Sequence, residues 1–132
     1  MDNDVLALGA MIYGENGGEN YDTMVMTGSS ALNRLEANRP EEFGATLPEV
    51  LQKGYYAVSQ NSPMFQQAMS GKFPDEKSEL AFKKAMQVSY GLIEGTIPRT
   101  KGQFFFKKGE AKSLRKKLKS VGKTGKYDVY SY

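Results

Sequence analysis

Cysteine and histidine are both absent from these 132 residues, and the two absences remove most of the usual hydrolytic chemistries. Without histidine there is no Ser-His-Asp triad, no His-ligated zinc or haem and no imidazole base. Without cysteine there is no thiol protease, zinc finger, iron–sulfur cluster or disulfide. An enzyme built on this chain works with carboxylates, hydroxyls, amides, Lys or Arg, and no metal or cofactor is expected. The lack of cysteine also leaves the chain equally compatible with cytosol, periplasm or medium. Long apolar runs are missing too. None approaches the ~18 residues of a membrane span, and the acidic start, Met1-Asp2-Asn3-Asp4, stands where a secretory signal carries a basic segment. Neither a span nor a signal peptide is expected.

What is present suits one small domain. With 39% hydrophobic positions, the 132 residues have room for a single core. Charge is unevenly spread: residues 1–98 carry 7 basic and 13 acidic side chains, whereas residues 99–132 carry 11 basic and 2 acidic. The formal net charge of +3 therefore conceals an acidic body and a basic C-terminal part. Such a part attracts polyanions, whether nucleic acid, anionic lipid or anionic wall polymers, unless it is simply a solvated helix face.

Hydrophobic spacing predicts a mainly helical α+β domain. Val5, Leu6, Leu8, Met11 and Ile12 form a short helix that should end near Tyr13 at Gly14, leaving residues 15–20 as a glycine-relaxed loop. Residues 21 to about 39 form the next amphipathic stripe, stopped by Pro40. Thr46-x-x-Glu49 reads as a capping box for a helix around 47–53, and Ser62-Pro63 as the start of one near 63–70. A further helix spans about 76–94, ending at Gly95. After Pro98, Gln103–Phe106 and Tyr127–Tyr130 are short strands flanking a basic helix near 110–120, which gives a small late hairpin or sheet. The seven methionines read as core gap-fillers.

The stretch that carries chemistry runs from Ala10 to Asp22, with Leu32-Asn33-Arg34 following. A carboxylate just after an apolar helix, beside Tyr13, could lie at the floor of a cleft, where burial raises its pKa and makes it a general acid. A desolvated glutamate can protonate a glycosidic oxygen without histidine or metal. In the bland alternative, Glu15 caps the next helix or pairs with Arg34. Tyr55, Tyr56, Gln60 and Asn61 could contact sugar, with aromatic faces on pyranose rings and amides on N-acetyl groups. Packing of the tyrosines into the core is the alternative.

Ile12-Tyr13-Gly14-Glu15-Asn16-Gly17-Gly18-Glu19-Asn20, with Leu32-Asn33-Arg34 closing the second helix, resembles the SleB-like cell-wall hydrolases. That family is named for the catalytic domain of spore-cortex-lytic enzymes. Its signature is an apolar helix, then Tyr or Asn-Gly-Glu-Ala-Arg-Gly-Glu-Pro, then a small-residue helix ending Leu-Asn-Arg. In the same order, Leu51 to Tyr56 resembles the family's Tyr-Gln-x-Gly-Gln-Phe segment. Ala81 to Gly91 resembles its alanine-rich helix, and Gly102 to Phe106 its Gly-Ala-x-Tyr-Phe strand. Two departures stand out. The family's Ala-Arg after the first glutamate is Asn16-Gly17 here, and the histidine of its closing Gly-Asn-His is replaced by Tyr127 or Asp128.

The resemblance implies a lysozyme-like domain that cleaves the β-1,4 bond between N-acetylmuramic acid and N-acetylglucosamine in peptidoglycan. It implies a lytic transglycosylase in which Glu15 is the one catalytic glutamate, with Glu19 in a supporting role. Asn33 and Tyr13 belong to the matching motifs, and Phe105 would stand beside the cleft. Asp22 would be either a second carboxylate activating water, as in a hydrolase, or the N-cap of the second helix. The expected partners are peptidoglycan glycan strands, with other anionic wall polymers on the basic part. The expected setting is the bacterial wall, reached through a holin, in a virion or from a larger exported chain, and the protein is a monomer unless part of a virion. A different class of function is a non-catalytic lysozyme-like binding or virion module. A nucleic-acid binder using Lys107, Lys108, Lys112, Arg115, Lys116, Lys117 and Lys119 ranks last for want of any further nucleic-acid motif.

Overall fold

The computed structural model describes residues 2–107, 110 and 117–132. Its centre is α1 (Asn3–Asn16), capped by the Asp2 side chain. Leu8, Ala10, Met11, Ile12 and Tyr13 are buried on consecutive turns and on all sides of this helix, as befits a core helix surrounded by others. Around it lie α2 (Tyr21–Glu36), α3 (Pro40–Phe43), α4 (Leu47–Gly54), α5 (Tyr56–Ser59), α6 (Pro63–Ser70) and α7 (Glu76–Glu94). Thr46, Ser62 and Asp75 accept hydrogen bonds from the third residue of α4, α6 and α7, so those three helices start where their capping residues dictate.

Small residues let the long helices cross closely. A β-carbon built at Gly28 of α2 would lie 2.6 Å from Leu92 Cδ1 and 2.9 Å from Ile12 Cδ1, so α1, α2 and α7 meet at this glycine. The remaining chain forms an antiparallel sheet of β1 (Phe104–Lys107), β2 (Lys119–Thr124) and β3 (Tyr127–Ser131), in the order β1-β3-β2. Phe105 pairs with Val129 and Lys107 with Tyr127, while β2 carries an irregularity between Ser120 and Gly122. The protein is thus a mainly helical α+β single domain with a C-terminal three-stranded antiparallel sheet.

Three boundaries differ from the sequence expectation. α1 continues through Gly14 to Asn16 and closes at Gly17, whose N–H donates to the Tyr13 carbonyl. A mid-helix glycine costs about 1 kcal/mol relative to alanine. The site accepts it because a β-carbon there would come 2.7 Å from that of Ala57. α2 ends at Glu36, three residues before the expected limit, and Asn38 takes a left-handed φ of 55°. Most of the basic helix expected near 110–120 lies outside the described residues, but Lys119 and Ser120 belong to β2.

Candidate functional site

Because α1 runs on past Gly14, Glu15 stands on its last turn and not in a loop. Its half-buried carboxylate accepts the Ala57 N–H through Oε1 at 3.0 Å. The absent side chain at Gly14 is what admits Ala57, and with it the start of α5, to this distance. Glu15 therefore caps α5, a role close to the bland alternative but on a different helix. Among the described residues it forms no ion pair, and Oε2 has no hydrogen-bond partner. The alternative pairing with Arg34 is not formed. Arg34 donates Nε–H to the Gln103 carbonyl at 2.7 Å, and its guanidinium lies 4.8 Å from the Tyr55 ring centroid and 5.0 Å from that of Phe104.

A second carboxylate stands nearby. Glu19 accepts from Asn16 Nδ2 through Oε2 at 3.1 Å and faces Lys126 Nζ through Oε1, also at 3.1 Å. Lys126 follows Gly125 at the turn between β2 and β3, so the pair ties that turn to the loop leaving α1. The contact with Glu19 raises the Lys126 ammonium's pKa. Asn16 is buried, and its Oδ1 has no partner among the described residues. Lys126 lies 5.6 Å from the centroid of the Tyr127 ring, which meets Phe105 edge-on at 5.4 Å. Partial burial is the main reason the Tyr127 hydroxyl's pKa is raised, and the negative charges of Glu19, Glu110 and Glu15 add to it while Lys126 opposes it. Of the two residues aligned with the family's histidine, Tyr127 is the one whose hydroxyl feels the charges of Glu19 and Glu15. Asp128 instead faces Lys123 across the β2–β3 pair at 3.5 Å.

The other residues singled out in the sequence fall into three groups. Tyr13 and Tyr55 are core residues. The Tyr13 hydroxyl donates to Gln67 Oε1 and its ring packs edge-on against Phe73 and Phe82. Tyr55 is buried with its hydroxyl 2.6 Å from Ser30 Oγ, and neither tyrosine offers a face to sugar. Asn33 is a clamp, because its amide donates to the carbonyls of both Thr100 and Gly102. Tyr56, 72% exposed, and the exposed Gln60 begin and cap α5 beside Glu15's partner Ala57. Asp22 is exposed on the first turn of α2 and does not cap it, since the Asn20 side chain accepts the Thr23 N–H. Asp22 lines a hollow with Asn20, Thr100 and Lys123 that excludes Glu15.

Glu15 is not among the residues lining five of the surface hollows, of about 120–440 Å3, and its carboxylate stands half-buried against the Ala57 N–H. Met11, Met24 and Met26 fill the core as expected, but Met69 is exposed. Among the described residues no group of three or more acidic side chains gathers as a metal site. No helix there is long and apolar enough to cross a membrane. Lys108, Lys112, Arg115 and Lys116, four of the seven basic residues considered for a polyanion, lie outside the described residues. The sequence reading missed Lys126, Asn16 and the Ala57 N–H. The first two stood in plain view beside Gly125 and Glu15, but a backbone donor from a distant helix leaves no mark on the sequence. Comparison with protein-family models, with curated proteins and with solved structures finds no match to this chain.

Proposed function

We propose that the protein is a lytic transglycosylase that cleaves the β-1,4 bond between N-acetylmuramic acid and N-acetylglucosamine in peptidoglycan, with Glu15 as its one catalytic carboxylate. The observation that supports this reading is the division of labour among the nearby acids. Glu15 has one oxygen anchored by the Ala57 N–H and the other without a partner among the described residues, whereas both oxygens of Glu19 are engaged by Asn16 and Lys126. A carboxyl held in this way can give its proton to the leaving glycosidic oxygen as the C1–O bond breaks. The muramic 6-hydroxyl then attacks C1 and returns its proton to Glu15, so an anhydro ring forms without water and no second carboxylate is needed. Asp22 lines a hollow that Glu15 does not share, so this reading gives it no part as a water-activating partner.

Purified peptidoglycan incubated with wild type and Glu15→Gln, with the products read by mass spectrometry, tests the reading. Anhydro-muramic ends should form with wild type and fall about 10²–10⁴-fold in the variant, the range for loss of a general acid. Reducing muramic ends would instead indicate hydrolysis. No product from wild type, where a control enzyme works, would sink the catalytic reading. It would favour a non-catalytic wall-binding or virion module, to which the capping of α5 by Glu15 already lends weight.

A further inference from the structure

The β2–β3 turn reaches the candidate site through a single ion pair. Lys126 and Glu19 are 57% and 27% exposed along their side chains, and a pair so open to water adds little to folding. Its geometry is more informative than its strength. A β-carbon on Gly125, at φ 55°, would lie 3.6 Å from Thr23 Oγ1, so the turn rests on the first turn of α2. The next residue grips Glu19, the one after carries the ring that meets Phe105, and Asn16, next to Glu15, grips the other oxygen of Glu19. A chain of contacts from Asn16 through Glu19 and Lys126 to Tyr127 thus joins the helix end bearing Glu15 to the sheet.

We infer that Lys126 is a positioning residue that, by holding Glu19, sets the Tyr127 ring as the sheet-side wall against which a glycan lies beside Glu15. The inference rests on the reading of Glu15 as the site of glycan cleavage. The Tyr127 ring is only half-buried, with Phe105 at right angles to it, and the apolar face of such a ring suits the C–H side of a pyranose. Its hydroxyl feels the negative charges of Glu19, Glu110 and Glu15. Lys126 touches no sugar in this arrangement. It keeps the turn from lifting away and taking the wall with it.

The test is a double-mutant cycle on the full chain, with Lys126→Met, Tyr127→Ala and the pair combined. It is read as calorimetric affinity for soluble glycan strands stripped of peptides and, separately, as the rate of anhydro-product formation. Lys126→Met should weaken binding by about five-fold, the upper end of what an exposed pair provides, and Lys126→Arg should restore most of it. Because Lys126 acts through the ring, Lys126→Met should have no further effect once Tyr127 is alanine. A merely structural role would give additive losses, or a loss in Tm without this dependence, and either result overturns the inference. Failure of wild type to bind the strands overturns it as well. Binding that follows Lys126 without any cleavage would uphold the positioning role and refute the transglycosylase. Cleavage that is indifferent to Lys126 would do the reverse.

Discussion

The helical body and the C-terminal sheet are held by different forces. In the body, Leu8, Met11, Ile12, Met24, Val50, Leu51, Val88 and Leu92 are almost wholly removed from water, and glycines at the crossings bring the helices close. In the sheet only Val129 and Tyr130 are buried, and less completely. Phe104 and Phe105 of β1 pack against the helical core, and polar groups of α2 that reach the backbone before β1 add directional bonds. Ser29 Oγ accepts from the Thr100 N–H, Asn33 donates to the carbonyls of Thr100 and Gly102, and Arg34 donates to that of Gln103. Arg99 adds an ion pair with Glu36 at 2.7 Å. The acidic body and the basic sheet thus meet along one face of α2, and the end of that seam is the Glu19–Lys126 contact beside Glu15. Apolar burial builds the scaffold, while directional bonds decide where the sheet stands relative to the candidate site.

The largest effect is expected where the body is densest. Leu8→Ala removes a side chain with no exposure at the centre of α1, and should lower stability by about 2–5 kcal/mol, the transfer loss plus that of the unfilled cavity. Urea denaturation followed by circular dichroism measures it, and the loss should be insensitive to salt. Arg34→Met comes next. It deletes a charged donor to the Gln103 carbonyl and the stacking on Tyr55 and Phe104, and about 2 kcal/mol should be lost. The location matters more than the size. Hydrogen exchange should speed up in β1 and β3 while α1 and α7 stay protected, as for a sub-global opening. Equal loosening of α1 would break the contrast and make the sheet an inseparable part of the body.

The same contrast explains what could be read in advance. α4, α6 and α7 were legible to within a residue because a capping side chain marks each start and periodic apolar residues mark the length. Phe104–Phe106 and Tyr127–Tyr130 announced strands through their aromatics. β2 did not, because Lys119-Ser-Val-Gly-Lys-Thr124 is an exposed edge strand whose composition reflects water and not a core. The end of α1 was misjudged because the glycine rule is local, whereas Gly14 is kept helical by Ala57 on a distant helix. Glu15 is singled out by a short contiguous motif, but the Ala57 N–H that it accepts from does not show in that motif. Tyr13 and Tyr55 could not be assigned, since a buried tyrosine and a sugar-binding one differ only in whether Gln67 or Ser30 waits for the hydroxyl. Asn33 and Arg34 close the second helix as a motif, yet in the fold they are the clamps of the sheet.

The smallest effect is expected at Tyr55, beneath Arg34, where body and sheet touch. Ser30 Oγ already donates to the Thr27 carbonyl at 2.7 Å, so the Tyr55 hydroxyl is the donor in its 2.6 Å bond to Ser30. Tyr55→Phe removes that bond while keeping the ring, and about 1 kcal/mol of stability should be lost at neutral pH. Burial raises the Tyr55 pKa above its ordinary value of 10.0, while Arg34 and the Ser30 bond oppose that rise without cancelling it. The proton is therefore held more tightly in the folded chain than in the unfolded one. Below about pH 10 both states keep it and the stabilisation is complete. Above that, the unfolded chain ionises first, so stability falls as pH rises through the folded value. Phenylalanine cannot ionise, so the variant's alkaline decline should be shallower, with a remaining slope from Tyr127 and Tyr132, whose pKa values are also raised. The two stability curves should then converge above about pH 10. Parallel curves would mean that the Tyr55 hydroxyl is reached by water, and that the junction between helices and sheet is open where the packing has it closed.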